Sequence, residues 1–334
     1  MIVVTGGAGF IGSNLVAALA EREIFEVVVC DTFGDGDKWR NLARHEIADM
    51  VPPEHLFRFL INRARRGDGW GRVEVVVHLG ANASTTETDV DLMLRQNFGF
   101  SMTLWRLCTE HRVRLIYASS AATYGDGGAG FDDDARADAL ARLRPLNPYG
   151  WSKHLFDRRA VRLAASADTR PPQWAGLKFF NVYGPNEYHK GAMQSVVAQK
   201  FPLARAGKPV NLFRSCDPDY ADGGQMRDFV YVRDCVEVMM WLLDHAEVCG
   251  LFNVGTGRAR SFLDLARALQ RALGADERIE LIDMPQSLRA QYQYFTEARI
   301  DRLRRAGYDA PFTTLEAGVA DYVANYLATD DPYR

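Results

Sequence analysis

The sequence predicts an α/β fold built on a doubly wound parallel sheet, and three observations carry that expectation. Compact apolar runs alternate with amphipathic stretches from the first residue onward. The first run passes straight into a glycine-rich turn, Thr5-Gly6-Gly7-Ala8-Gly9-Phe10-Ile11-Gly12. The chain has 334 residues. At about 100–200 residues per domain, that suits one large fold with an appended lobe. Right-handed βαβ units are the arrangement in which such an alternation buries both faces of a sheet.

Taken in order, Ile2–Thr5 is the first strand, and Phe10 to Arg22 has the spacing of an amphipathic helix. Val27–Cys30, Val75–Val77 and Leu115–Tyr117 are β-branched or apolar runs of the kind buried on both faces of a parallel sheet. Helical patterns over Leu92–Cys108 and Pro148–Ala164 separate them. The rhythm changes after about Phe180, where Asn181–Gly191 and Cys216–Gly224 are loops rich in Gly, Pro, Asn and Asp. Further helices are expected over Met193–Arg205, Arg233–His245, Ser261–Leu273 and Thr313–Leu327, with Ser261 and Asp264 spaced as a capping pair. A second, smaller lobe in the C-terminal half follows from this change.

Lys and Arg number 40 against 43 Asp and Glu, a formal charge of −3, which argues against a dedicated nucleic-acid binder. The richest basic stretch, Arg58 to Arg72, has no aromatic stacking platform and reads as a solvated helix and loop. No apolar run approaches the ~18 residues of a membrane span. Ile2-Val3-Val4 begins a strand with no basic n-region before it, so a secretory signal is not expected and the cytoplasm is. The cysteines, at 30, 108, 216, 235 and 249, contain no CxxC spacing and read as reduced thiols. No metal is expected.

The glycine-rich turn satisfies G-x-G-x-x-G at Gly7, Gly9 and Gly12, and Gly6 adds a G-x-x-G-x-x-G reading. Following a strand and opening a helix, it is the context in which backbone N–H groups and a helix N-terminus receive a pyrophosphate. Asp31 closes the second strand 19 residues after Gly12, where an acidic residue takes the adenosine ribose hydroxyls. An Asp there favours NAD, whereas Lys38, seven residues on, offers a partner for the 2′-phosphate of NADP. The residues leave both cofactors open.

Tyr149-Gly150-Trp151-Ser152-Lys153 sets a phenol and an ammonium at i and i+4 on one helical face. A neighbouring cation favours the phenolate, so Lys153 is expected to lower the Tyr149 pKa and prepare it to take a hydroxyl proton. Upstream, Tyr117–Gly125 ends a strand at the carboxyl edge of the sheet, where open α/β folds bind ligands. Ser120 is placed to orient a substrate oxygen towards Tyr149, with Ser119 the second choice.

Glycine loop, acidic residue, Ser and YxxxK in that order resemble the extended short-chain dehydrogenase/reductase family, with its NAD-dependent epimerases and dehydratases. Phe180–Pro185, Arg227–Tyr231 and Phe252–Gly257 carry the resemblance along nearly the whole chain. Ala83-Ser84-Thr85-Thr86-Glu87, the double alanine in Ser119–Tyr124, His189-Lys190-Gly191 and Tyr292–Thr296 are similar to the family's ADP-heptose 6-epimerase branch. The implied fold is Rossmann-like, with residues 1–180 and a returning segment of about 228–254 as the dinucleotide-binding domain. Residues 181–227 and 255–334 would form a discontinuous substrate-binding domain. The implied activity is NADP-assisted inversion at C6 of an ADP-heptose through a transient ketone. Tyr149 and Lys190 would be the two acid/bases, Ser120 the oxygen donor and Lys153 a cofactor ligand.

The resemblance also assigns cofactor contacts to Gly6, Gly9, Phe10, Ile11, Gly12, Asp31, Thr32, Lys38, Leu79, Gly80, Ala81, Asn82, Ala83, Gln96, Asn97, Lys153, Val182 and Lys190. Substrate contacts fall on Ser84, Ser120, Asn181, Ala192, Gln199, Phe213, Arg214, Ser215, Cys216, Arg227 and Tyr292, with the Arg227 guanidinium suited to the diphosphate. A homopentamer and a place in heptose supply for lipopolysaccharide are implied with them. The alternative is a C4 epimerase or a reductase of another nucleotide sugar. A 4,6-dehydratase would need Asp-Glu where Ala121 and Ala122 stand. A catalytically silent scaffold would be expected to have lost Tyr149, Lys153 or both.

Overall fold

The computed structural model describes residues 1–63, 73–289 and 292–334. Seven parallel strands form the main sheet: β1 (Ile2–Thr5), β2 (Val27–Cys30), β3 (Asp49–Val51), β4 (Val75–His78), β5 (Arg114–Ser120), β6 (Trp174–Phe179) and β11 (Gly250–Val254). Their spatial order is β3-β2-β1-β4-β5-β6-β11, so the winding direction reverses between β1 and β4. That switch point opens a crevice at the carboxyl ends of the strands, where ligands of open α/β sheets sit.

Helices α1 (Phe10–Glu21) and α6 (Val232–Asp244) bury one face of the sheet. Helices α2 (Pro53–Arg63) and α4 (Pro148–Leu163) cover the other with α3, which runs from Val90–Met93 through a wide turn at Leu94–Gly99 into Phe100–Glu110. Valines of β1, β2 and β4 point into both cores, which is why those runs are apolar without alternation. The smaller lobe has its own core, formed by α5 (Val196–Arg205), α7 (Phe262–Ala272) and α8 (Leu315–Tyr322) with β8 (Val210–Phe213). Short pairs stitch it to the sheet: β7 (Asn181–Tyr183) with β10 (Phe229–Tyr231), and β9 (Met226–Arg227) with β12 (Arg260–Ser261).

Capping explains where helices start. Ser261 and Asp264 form a reciprocal capping box at α7. The helix expected from Met193 starts at Val196 instead, because the Ser195 hydroxyl accepts from Ala198 N. Thr314 likewise caps α8, so that helix opens at Leu315. Arg58 and Arg63 of the basic stretch lie on α2, while Arg65, Arg66 and Arg72 lie outside the described residues. Among the described residues, no helix is long and apolar enough to cross a membrane.

Candidate active site

The glycine turn is held by close approach of backbone to backbone. Gly6 sits at φ +69°, and a Cβ there would lie 2.6 Å from Gly80 N. At Gly12 a Cβ would fall 2.1 Å from the Gly6 carbonyl oxygen, so α1 can start this close to β1 only with glycine. Asp31 braces the turn: its carboxylate accepts from Ala8 N at 2.9 Å, Thr32 N at 2.7 Å and Lys38 Nζ at 2.6 Å. A cavity of about 560 Å³ opens beside them, lined by Gly6, Asp31, Thr32, Lys38, Gly80, Ala81, Asn82 and Gln96, with Pro53, Glu54, Phe57 and Phe100. The glycine cradle and this cavity fit the adenosine half of a dinucleotide. Asn97 stands behind it, buried, clasping the Asn82 backbone through both amide atoms and donating to Ser152 Oγ at 2.9 Å.

A second cavity, of about 470 Å³, continues along the carboxyl edge. Phe10, Ile11, Leu79, Ala81, Ala83 and Val182 line it together with Ser120, Tyr149, Lys153, Asn181, Lys190 and Arg227. Asn147 caps α4 through Gly150 N at 2.8 Å, which fixes the helix start that carries Tyr149. Burial pushes the Tyr149 phenol up, a side-chain hydrogen bond from Ser120 opposes it, and the Asp157 carboxylate adds to the rise. The expected lowering by Lys153 is therefore not met here. Lys153 donates instead to the Ala118 carbonyl at 3.0 Å, and burial brings its own pKa down to about 8 against the pull of Asp157. Lys190 arrives from the turn Tyr188–Met193 and lies over the Phe10 ring at 4.8 Å. Burial lowers its pKa, and Glu187 works in the opposite direction.

Residues 2–255 match the NAD dependent epimerase/dehydratase family, about three quarters of the chain. This chain belongs to that family. Its sequence is 50% identical over 333 residues to an ADP-L-glycero-D-manno-heptose-6-epimerase of Nitratidesulfovibrio vulgaris, covering 100% of both chains. Its fold is similar to the Helicobacter pylori ADP-L-glycero-D-manno-heptose-6-epimerase, with a TM-score of 0.76, 29% identity and 97% and 95% of the two chains covered. It is also similar to a Thermus thermophilus UDP-glucose 4-epimerase in complex with NAD, with a TM-score of 0.71, 26% identity and 96% of each chain covered.

Within this epimerase/dehydratase fold, several anticipated substrate contacts stand apart from the second cavity's lining. Tyr292 packs on the Arg227 guanidinium at 5.2 Å, and Arg227 donates to the Gln293 and Met226 carbonyls. Gln199 Nε2 is spent on the Ala192 and Gln194 carbonyls at 3.1 and 2.7 Å, and Ser84 Oγ lies 3.1 Å from Thr86 Oγ1. Phe213, Arg214, Ser215 and Cys216 leave the end of β8, where the Asp222 carboxylate accepts from Ser215 N at 2.8 Å. Gly9 sits at the start of α1, accepting from Ser13 N at 3.0 Å.

Three buried charges beside the site were not anticipated. Asp157 lies on the face of α4 that carries Lys153 and accepts from Ser119 Oγ at 2.6 Å and Tyr117 Oη at 3.1 Å. Lys178 of β6 donates to Asp157 and to Thr123 Oγ1, at 2.6 and 2.7 Å. Glu187, fully buried, stands 3.7 Å from Lys190 Nζ. The spacings of Asp157 four residues after Lys153 and of Glu187 three residues before Lys190 were usable signals; Lys178 offered none, because Asp157 lies on a different element.

Proposed function

We propose that this protein interconverts ADP-D-glycero-β-D-manno-heptose and ADP-L-glycero-β-D-manno-heptose at C6, with NADP as its bound dinucleotide. The observation that carries the reading is one cavity lined by two proton-handling groups from different segments, Tyr149 of α4 and Lys190 of the turn Tyr188–Met193. The two epimers present the C6 hydroxyl in different places, and a phenol fixed on a helix cannot serve both. One group takes the hydroxyl proton as hydride leaves C6, the ketone turns over, and the other group returns a proton as hydride arrives at the opposite face. When bound, a nicotinamide supplies the reversible hydride acceptance. Ser120, hydrogen-bonded to Tyr149, orients the oxygen. Lys153 lines the same cavity, where its ammonium suits the ribose hydroxyls. Arg227, packed against Tyr292, suits the diphosphate. Assembly as a homo-oligomer in the cytoplasm belongs to the same reading.

NMR of ADP-heptose incubated with the purified protein tests this directly. Interconversion at C6 without external reductant is expected, and inertness of both epimers overturns it. The fold likeness to a UDP-glucose 4-epimerase favours inversion at C4 as the second reading, so UDP-glucose is the control substrate.

NADP is supported by the Lys38–Asp31 pair, which offsets the carboxylate that would repel a 2′-phosphate. A charge-assisted contact is worth ~1.5–3 kcal/mol. Lys38→Ala should therefore weaken NADP binding at least about ten-fold and leave NAD binding nearly unchanged, as read by calorimetry. Equal losses for the two dinucleotides would remove the assignment.

A further inference from the structure

The Glu187 side chain is 0% exposed and the Lys190 side chain 27% exposed, and the two are the partners of an ion pair 3.7 Å long. The carboxylate sits in a nest of neutral donors drawn from the smaller lobe. Ser195 N and Oγ donate at 2.5 and 2.6 Å, Tyr322 Oη at 3.2 Å and Gly184 N at 3.4 Å. Ser195 is also the cap of α5, and Tyr322 belongs to α8. The charge is thus fixed in place by two helices, neither of which contributes the lysine. Taking a carboxylate out of water is costly unless it is hydrogen-bonded and paired, and the cation it pairs with here is Lys190.

We propose that Glu187 is the residue that sets the proton balance of Lys190, holding the lysine where both its ammonium and its amine forms are reached during turnover. Its consequence for catalysis rests on the two-base reading above. A group that must accept a proton in one direction and deliver it in the other works best when neither form is remote. Burial drives Lys190 towards the amine, and Glu187 opposes it through its charge and its hydrogen bond. The other groups facing Lys190 cannot take over that task. His189 on the same turn is pushed down to about 4 by burial, with Lys38 and Lys190 adding to the fall and Asp31 opposing it. Tyr149 and Lys153 of α4 and Arg227 of β9 line the cavity without offering a carboxylate, and Phe10 offers only its ring.

The test reads Lys190 itself. The full-length protein is labelled with trace acetic anhydride across a pH series, and acetylation of Lys190 is followed by mass spectrometry, with exposed Lys208 as the internal reference. In Glu187→Gln the half-labelling pH of Lys190 should move down by about 1–3 pH units, the range for loss of one close opposite charge, while Lys208 stays put. The alkaline limb of the kcat profile should move down with it. A role in packing alone would lower stability and leave the labelling pH where it was, and that result overturns the proposal. Should Glu187→Gln not fold, Glu187→Asp keeps the charge but withdraws it by one methylene. It should give a smaller move in the same direction, and no move overturns the proposal equally. Epimerisation surviving in Lys190→Met would remove the two-base reading while leaving the labelling result intact, so the two failures are distinguishable.

Discussion

Tyr149→Phe and Lys190→Met should each slow epimerisation of ADP-heptose by ~10²–10⁴-fold, the scale for losing a positioned acid/base. Hydride must leave one face of C6 and return to the other, so both proton transfers lie on every productive path. Neither residue can stand in for its counterpart. The double variant should be only slightly slower than the poorer single variant, because groups acting in one sequence do not contribute additively. Each single variant should still fold, bind the dinucleotide and exchange hydride slowly with one epimer, Lys190→Met with one and Tyr149→Phe with the other. Single-turnover measurements with each epimer separate these partial reactions from full inversion. A Lys190→Met enzyme that inverts C6 at the parent rate would reduce Lys190 to a phosphate contact.

How much of this was legible in the sequence depends on the range of each interaction. The glycine turn is a local device, since the close packing at Gly6 and Gly12 is dictated by neighbours in the same βα unit and by β4. Tyr149 and Lys153 are legible for the same reason, being one helical turn apart on α4. The protonation of Tyr149 was not legible. Burial is a property of the assembled fold, and it holds the phenol up while Lys153 is turned to the Ala118 carbonyl. Strand β6 was hidden because Lys178 interrupts an apolar run, and only the folded chain shows Asp157 waiting for it. Glu187 stands three residues before Lys190, but its hydrogen-bond donors Ser195, the cap of α5, and Tyr322 of α8 come from later elements. No periodicity can reveal such a meeting.

Lys178→Met should destabilise the protein by ~3–5 kcal/mol, the cost of stranding one member of a buried ion pair. Both side chains of the Lys178–Asp157 pair are 0% exposed, so water cannot replace the lost partner. Tyr117 and Ser119 would still donate to the carboxylate, but neither carries a charge. The loss should reach the site as well. Lys178 holds Thr123 Oγ1, and Thr123 in turn donates to the Ser120 carbonyl at 2.8 Å, so the turn that presents Ser120 loses a support. Asp157→Asn should be similarly costly, leaving Lys178 with Thr123 and the Tyr124 ring, 5.0 Å from its nitrogen. The double variant Asp157→Asn/Lys178→Met removes both charges and should be more stable than the sum of the two single losses requires, the coupling expected of residues in direct contact. Urea denaturation of the parent, both single variants and the double variant completes the cycle. A strictly additive cycle, or a Lys178→Met protein as stable as the parent, would show that the pair is not what ties α4 to β6.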